Sequence, residues 1–217
     1  MKFCPNCGTP CEGANFCTNC GTDLRPYKQA QQSNTVHSVG QANVNVVPDS
    51  LSAFEVERNV DGRTYIIVTI KDRSATRVTI PDCVTCIGPC AFENSKIESI
   101  VIPGSVKSIE RGAFLECTEL KSVTICEGVT RIGVCAFAND ESLCEVNLPQ
   151  SLKVVEDSAF SCCTDLRKVI LPYGITEIGE DAFYTGFGNP KVTVYAPAHF
   201  YNQCKITLGE NANVVSY

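Results

Sequence analysis

The sequence predicts a repeat solenoid of short parallel β-strands that is preceded by a small cysteine-rich module. Three observations lead to this prediction. Units of 22 or 23 residues recur five times between residues 78 and 191, and two C-x-x-C pairs stand within the first 25 residues. A polar stretch without apolar periodicity separates the two regions. The composition, 44% hydrophobic and 19% charged, is that of a folded chain.

The first module, residues 1–25, contains two copies of a knuckle with the sequence C-x-N-C-G. One copy pairs Cys4 with Cys7, and the other pairs Cys17 with Cys20. A C-x-x-C turn directs both thiolates at one point, and two such turns supply the four sulfur ligands of a tetrahedral Zn²⁺ site. So short a segment buries too little apolar surface to fold unaided, whereas a structural zinc contributes roughly 10–16 kcal/mol of binding free energy. We therefore expect one structural Zn²⁺; iron is the alternative metal that the spacing leaves open.

This module also resembles a known domain. Residues 2–24 are similar to the short zinc ribbon that opens many bacterial proteins, typified by FCPNCG…FCxNCG. The resemblance places the same four cysteines on the ligand positions, and it implies a role in interaction or regulation rather than in one reaction. Cys11 lies in neither knuckle and is expected to be a spare thiol.

Residues 26–50 are expected to form a flexible linker. The segment is rich in glutamine, asparagine and serine and has little apolar periodicity. Such a composition cannot offset the entropy lost on ordering through burial of apolar surface. As a flexible coil, the segment would span roughly 25–30 Å on average.

The five units of residues 78–191 share one pattern. Each opens with V-x-I-P or a near variant, which predicts a short strand with both apolar side chains on one face. A V-x-x-I step follows, and then an Ala-Phe pair that we expect on a short helical or 3-10 turn. Stacked as coils, the units would bury a column of apolar side chains that no single unit can bury alone. The period is marked by Phe92, Phe114, Phe137, Phe160 and Phe183.

The pattern resembles the BspA-type leucine-rich repeat over residues 78–191. The resemblance implies a solenoid with short parallel strands lining one face, and it also suggests a surface adhesin or host-interaction protein as an alternative function. Residues 51–77 fit a capping hairpin that turns at Asp61-Gly62. Residues 192–217 fit a C-terminal cap, since the last unit of a solenoid must depart from the repeat.

Most of the remaining cysteines are expected to be unpaired core or surface thiols. Cys117 and Cys163 fall three residues after a marker phenylalanine, in a column that should point into the core. A second cluster of cysteines is spaced as metal ligands often are. Its members fall in three different columns of the repeat, however, so we expect no second zinc there. Cys144 and Cys204 are expected at the surface. The members of the second cluster are Cys83, Cys86 and Cys90.

No arrangement of residues predicts catalysis. The two histidines are His37 in the linker and His199 in the cap, and no acid can be placed to orient a His199–Cys204 pair. Aspartate and glutamate are scattered over variable repeat positions, which is typical of a solvated face. We therefore expect a protein that is not an enzyme.

Two rows of outward-facing residues form the candidate partner surface. The first row follows the middle strand position, and the second follows the position at the start of each strand and becomes basic toward the C-terminus. Val101 and Ile170 are apolar where water is expected. The first row is Thr79, Val101, Thr124, Asn147 and Ile170, and the second is Ser99, Ser122, Glu145, Lys168 and Lys191. The residues selected for partner binding are all of the first row together with Glu145 and Lys168.

These observations favour a non-enzymatic interaction or scaffold protein that binds a protein partner on the solenoid. The net charge of -6 argues against a nucleic-acid surface, and binding of nucleic acid or a transcription complex through the ribbon is a second alternative. No apolar run approaches the ~20 residues that span a bilayer, and the N-terminus lacks the apolar region of a secretory signal. We expect a cytoplasmic protein, with a surface location by a non-standard route left open.

Overall fold

The computed structural model describes residues 49–217. These residues form successive coils that stack along one axis. Each complete coil contributes a strand to a first face, a strand to a second face and a run of tight turns to a third side. The repeat solenoid predicted from the sequence is confirmed. The predicted zinc ribbon and all but the end of the predicted linker lie outside the described residues.

An antiparallel hairpin begins the stack. After a 3-10 turn at Asp49–Leu51, β1 (Phe54–Arg58) pairs with β2 (Tyr65–Ile70). Asp61 closes the turn, because its carboxylate accepts hydrogen bonds from two backbone N–H groups and from a threonine hydroxyl. Strand β2 then pairs in parallel with β3 (Val84–Ile87), so the hairpin extends the second face of the solenoid.

The V-x-x-I steps form the second face, which the sequence reasoning did not predict to be a sheet. This sheet has the order β1-β2-β3-β5-β7-β9-β11. Four of its strands have only two residues each, one with a buried side chain and one whose side chain is half-buried or exposed. Two residues are too few to show the alternation by which a strand is recognised. The four strands are β5 (Ser108–Ile109), β7 (Arg131–Ile132), β9 (Val154–Val155) and β11 (Glu177–Ile178).

The V-x-I-P segments of the second to fifth units and two strands of the C-terminal cap form the first face, in two parallel pieces of three strands each. The first piece is β4 (Ser99–Ile102), β6 (Ser122–Ile125) and β8 (Glu145–Asn147). The second piece is β10 (Lys168–Ile170), β12 (Val192–Ala196) and β13 (Ala212–Ser216).

The prediction of a strand in every unit is wrong for the first unit. Residues 78–80 form no strand, and only Arg77 makes an isolated bridge to Ser99. This segment belongs to the first repeat of the stack and has a neighbouring coil on one side only, so the ladder of β4 ends at that bridge.

The Ala-Phe pairs lie on the third side, which is built from hydrogen-bonded turns. Within a coil, Ser95 N–H donates to Phe92 O at 3.0 Å; between coils, Phe92 N–H donates to Ala113 O at 2.7 Å. The residue two positions before each marker phenylalanine has a φ of 53–61°, in the left-handed region. Left-handed residues interrupt a helix, so the predicted helical turns are chains of tight turns. These residues are Cys90, Gly112, Cys135, Ser158 and Asp181.

The marker phenylalanines form one continuous stack in the core. All five are fully buried. Successive ring centroids lie 4.8, 4.9, 5.0 and 5.4 Å apart, with interplanar angles of 12° or less. This spacing is close to the distance between neighbouring strands. Each coil therefore places its phenyl ring directly against the ring of the next coil.

A helix closes the C-terminal end. Helix α1 (Tyr201–Leu208) connects β12 to β13 and buries Cys204 and Leu208. The expectation that Cys204 lies at the surface is therefore wrong, because this residue takes the inward face of the capping helix.

Candidate partner-binding surface

Three of the predicted outward residues are direct neighbours on the first face. The strand register places Val101 beside Thr124 and Thr124 beside Asn147. Val101 is 40% exposed although it is apolar. Thr79 is exposed but lies in the segment without a strand, so it does not continue this row.

Ile170 begins a second, more apolar group on the β10-β12-β13 piece. Its register partner is Tyr195, whose own partner is Val215. Ile170 is 52% exposed and Val215 is 41% exposed. We call Ile170, Tyr195 and Val215 the apolar row. Sequence reasoning missed the last two because they follow the repeat, although the alternation in VTVYA could have identified Tyr195.

The second predicted row is partly wrong. Ser99, Ser122 and Glu145 are register neighbours as expected. The register partner of Lys168, however, is Thr193 and not the predicted Lys191. The step from Lys168 to Thr193 is 25 residues, because the last unit carries a longer loop before β12.

Charged and aromatic side chains border the apolar row. Lys168 Nζ lies 5.0 Å from the centre of the Tyr195 ring, a cation–π contact. The Tyr217 hydroxyl donates a hydrogen bond to Leu171 O at 2.7 Å. The Tyr173 ring packs against the His199 ring at a tilt of 57°, with ring centroids 4.6 Å apart. On the other piece, Asn147 Nδ2 donates to Glu145 Oε1 at 3.2 Å.

The outer side of the second face is organised differently, by an ion-pair network. Arg131 Nε donates to Glu156 Oε1 at 3.0 Å, and Arg131 Nη1 lies 3.5 Å from Glu110 Oε2. The other carboxylate oxygen of Glu156 accepts the Val134 N–H. Hydrogen bonding to Glu156 raises the pKa of the Arg131 guanidinium above its usual value. Because these charges are paired with one another across neighbouring coils, we take the first face, with its exposed apolar side chains, as the candidate binding surface.

Sequence reasoning missed one buried acid. Asp140 is fully buried, which contradicts the expectation that the acids lie on solvated positions. It occupies the column three residues after the phenylalanines, together with Ser95, Cys117 and Cys163. Asp140 Oδ1 accepts the Cys117 N–H at 2.8 Å, while Oδ2 has no hydrogen-bond partner. Burial raises the pKa of this carboxyl well above its usual value. The position in the cysteine column was the signal that could have identified it.

Two cysteines in this column lie in the core, as the sequence indicated. The thiols of Cys117 and Cys163 each donate to a phenylalanine carbonyl oxygen of an earlier coil at 3.1 Å. Burial raises the pKa of Cys117 to about 12.

The cysteine cluster near the start of the repeat shows no metal-binding geometry. Cys86 Sγ lies 3.3 Å from Ser108 Oγ, and burial raises the pKa of the thiols of Cys83, Cys86 and Cys90. Within residues 49–217, no group of three or more histidine, cysteine or acidic side chains is placed to hold a metal ion.

The stacked coils agree with a comparison against protein-family models. Residues 70–188 match the BspA type leucine rich repeat region in six copies, one more than the units defined above from the sequence. The chain belongs to this family. The match covers more than half of the chain.

A solved structure shows the same fold. A leucine rich repeat protein of T. pallidum (TpLRR) is 24% identical, with 78% of this chain and 80% of that chain covered and a TM-score of 0.63. A leucine rich cell surface protein of Faecalibacterium prausnitzii is 25% identical over 65% of this chain and 53% of its own, with a TM-score of 0.40. No curated protein matches the chain. In the described part of this BspA-type protein, none of the helices has the length and apolar character needed to cross a membrane.

Proposed function

We propose that this BspA-type protein is a non-enzymatic interaction protein that binds a protein partner on the first face of its solenoid. The observation that carries the proposal is the apolar row, aligned across three strands, in which Ile170 and Val215 are exposed and Tyr195 is half-buried. Outward positions of a solvated sheet are normally polar, and a contiguous exposed apolar group is typical of an interaction site.

The chemistry around the row supports a protein partner. Interfaces place aromatic and apolar side chains at their centre and polar or charged side chains at their rim. Tyr195 and Ile170 would supply the centre, with Lys168 held over the tyrosine ring. Val101, Thr124 and Asn147 extend the surface along the first piece, and Glu145 adds a negative rim position. The proposed setting is the cytoplasm, where the cysteines would stay reduced; cell fractionation tests this location.

A paired substitution on the first face tests the proposal. We expect the Val101→Asp/Ile170→Asp variant to lose at least about tenfold in partner affinity. Ile170 lies at the proposed interface centre, where a buried apolar contact contributes over ~1 kcal/mol, and Val101→Asp would place a second buried charge on the extension of that surface. Affinity purification from the native cell identifies the partner, and titration of that partner against the variant measures the loss.

The matched control is Val68→Asp, since Val68 is 39% exposed but lies on β2 of the other face. This control is expected to bind the partner normally. Equal capture by the paired variant and the unaltered protein would count against the proposed surface.

We further propose that Cys4, Cys7, Cys17 and Cys20 hold one structural Zn²⁺ in an accessory interaction module. The support is their arrangement as two C-x-N-C-G knuckles, which supply four thiolates and leave no position for a catalytic water. Joined to the solenoid through residues 26–50, the module would add a second contact and raise the local concentration of a partner that engages both.

Elemental analysis tests the metal proposal directly. We expect one zinc per chain, lost in Cys7→Ser because three thiolates no longer close the tetrahedron. Cys11→Ser is the matched control and is expected to retain the zinc. Iron in place of zinc would overturn the metal assignment, and retention of zinc by Cys7→Ser would overturn the ligand set.

A further inference from the structure

The C-terminal end of the first face presents an open strand edge. Among the described residues, β13 pairs with β12 only. Tyr217 N–H donates to Ala196 O and Ala198 N–H donates to Tyr217 O, both at 3.0 Å. Because backbone groups alternate sides along a parallel strand, Val214 and Ser216 direct their N–H and C=O groups away from β12.

The edge strands at the two ends of the stack differ in the charge of their side chains. Strand β1, at the N-terminal end, reads FEVER and exposes Glu55, Glu57 and Arg58. Charged side chains on an edge strand oppose pairing with another strand. Strand β13 reads ANVVS, with neither charge nor proline. The N-terminal edge is therefore protected against pairing, whereas the C-terminal edge is not.

The cap of residues 192–217 carries no net side-chain charge although the chain is acidic. Residues 192–217 contain only Lys205 and Glu210 as charged side chains, whereas the whole chain has a net charge of -6. Asp181 of the last repeat adds one carboxylate beside the cap, where Asn211 Nδ2 donates to it at 2.6 Å. A second copy of the chain would therefore meet less repulsion at this end than the net charge of the chain implies. Elsewhere, the like charges of two acidic chains would oppose close approach.

Helix α1 adds an apolar side chain to this end. Cys204 and Leu208 are buried against the core. Ile206 lies two positions from each of them, on the opposite side of the helix, and is 77% exposed.

We propose that the end formed by β13 and α1 is the interface with a second copy of this chain. The two β13 strands pair antiparallel about a two-fold axis near Val214, so that Ala212 of one copy lies opposite Ser216 of the other. A two-fold interface requires a surface that is complementary to itself, and an uncharged strand beside a helix whose single charged side chain is Lys205 meets this requirement. The inference does not depend on the proposed partner surface.

The mass of the full chain in solution tests this inference. Sedimentation velocity under reducing conditions is expected to show twice the monomer mass of 23.5 kDa as the concentration approaches about 100 µM, since a small interface of this kind gives weak association. Val214→Pro removes the N–H that faces the open edge without removing a bond to β12. We expect it to give monomers with an unchanged circular dichroism spectrum.

A second variant keeps the test independent of proline effects. Ile206→Glu is expected to weaken dimerisation at least about tenfold, because it places a charge in the interface. Val60→Glu makes the same change at the fully exposed hairpin turn at the other end and is expected to leave the dimer intact. A monomeric parent chain at about 100 µM, or a dimer that survives both Val214→Pro and Ile206→Glu, would overturn the proposal.

Discussion

Replacing Phe137 with alanine is expected to lower the free energy of unfolding by about 3–5 kcal/mol. The ring of Phe137 is fully buried between those of Phe114 and Phe160, at centroid distances of 4.9 and 5.0 Å. Its removal leaves a cavity at the centre of the stack and deprives both neighbouring rings of a contact. The cavity cannot close readily, because hydrogen bonds between coils fix their spacing.

Denaturant unfolding followed by circular dichroism measures this effect. The midpoint temperature should also fall by roughly 10 °C for a folded region of this size. Phe187→Ala is the matched control, because Phe187 is 99% exposed in the loop before β12; we expect it to leave stability within about 0.5 kcal/mol. A loss below about 1 kcal/mol for Phe137→Ala would contradict a continuous phenylalanine core.

Replacing Asp140 with cysteine is expected to stabilise the protein by about 1–3 kcal/mol at neutral pH. Asp140 Oδ2 is buried without a hydrogen-bond partner. The same column holds Cys117 and Cys163, whose thiols donate to phenylalanine carbonyl oxygens. A thiol at position 140 would fit this pattern and remove a carboxyl that must be either charged or protonated in an apolar interior.

The pH dependence identifies the cause of that gain. Burial raises the pKa of Asp140 in the folded protein above its unfolded value. Its destabilising effect is therefore absent below the unfolded pKa, about pH 4, and grows as the pH rises toward the folded pKa. The difference in unfolding free energy between Asp140→Cys and the parent should be smallest near about pH 4 and larger at pH 7.

Urea unfolding at a series of pH values measures this difference. Asp82→Cys, at an exposed position, controls for the added thiol and is expected to leave stability nearly unchanged. A stability difference for Asp140→Cys that stays constant across the pH range would show that ionisation of Asp140 is not responsible.

The features of the fold that follow from the repeat could be predicted from the sequence. The phenylalanine column and the buried positions of Cys117 and Cys163 both depend on one period, which the chain displays in every unit. The second sheet could not be predicted, because strands such as Ser108–Ile109 are held by hydrogen bonds to neighbouring coils rather than by a pattern of their own. Asp140 was misassigned because aspartate is usually exposed.

In the candidate surface, too, only the positions that follow the repeat could be predicted from the sequence. Val101, Thr124 and Asn147 are neighbours because the repeat length is constant between them. The longer loop before β12 shifts the register, so that Thr193 replaces the predicted Lys191 beside Lys168. Tyr195 and Val215 were missed because the cap follows no repeat, and only the pairing of β12 with β13 brings them beside Ile170.

The hydrogen bonds on the turn side of the solenoid give the molecule a dipole moment along the axis of the stack. Phe92, Phe114, Phe137 and Phe160 all donate their N–H groups toward the coil that follows. Peptide dipoles of ~3.5 D aligned in this way add along the rod, as they do in a helix. Among residues 49–217 no further repeat coil follows that of Phe183, and this coil forms the positive pole of the column. Asp181 already stands at that pole, where its carboxylate is also held by Asn211 Nδ2 at 2.6 Å.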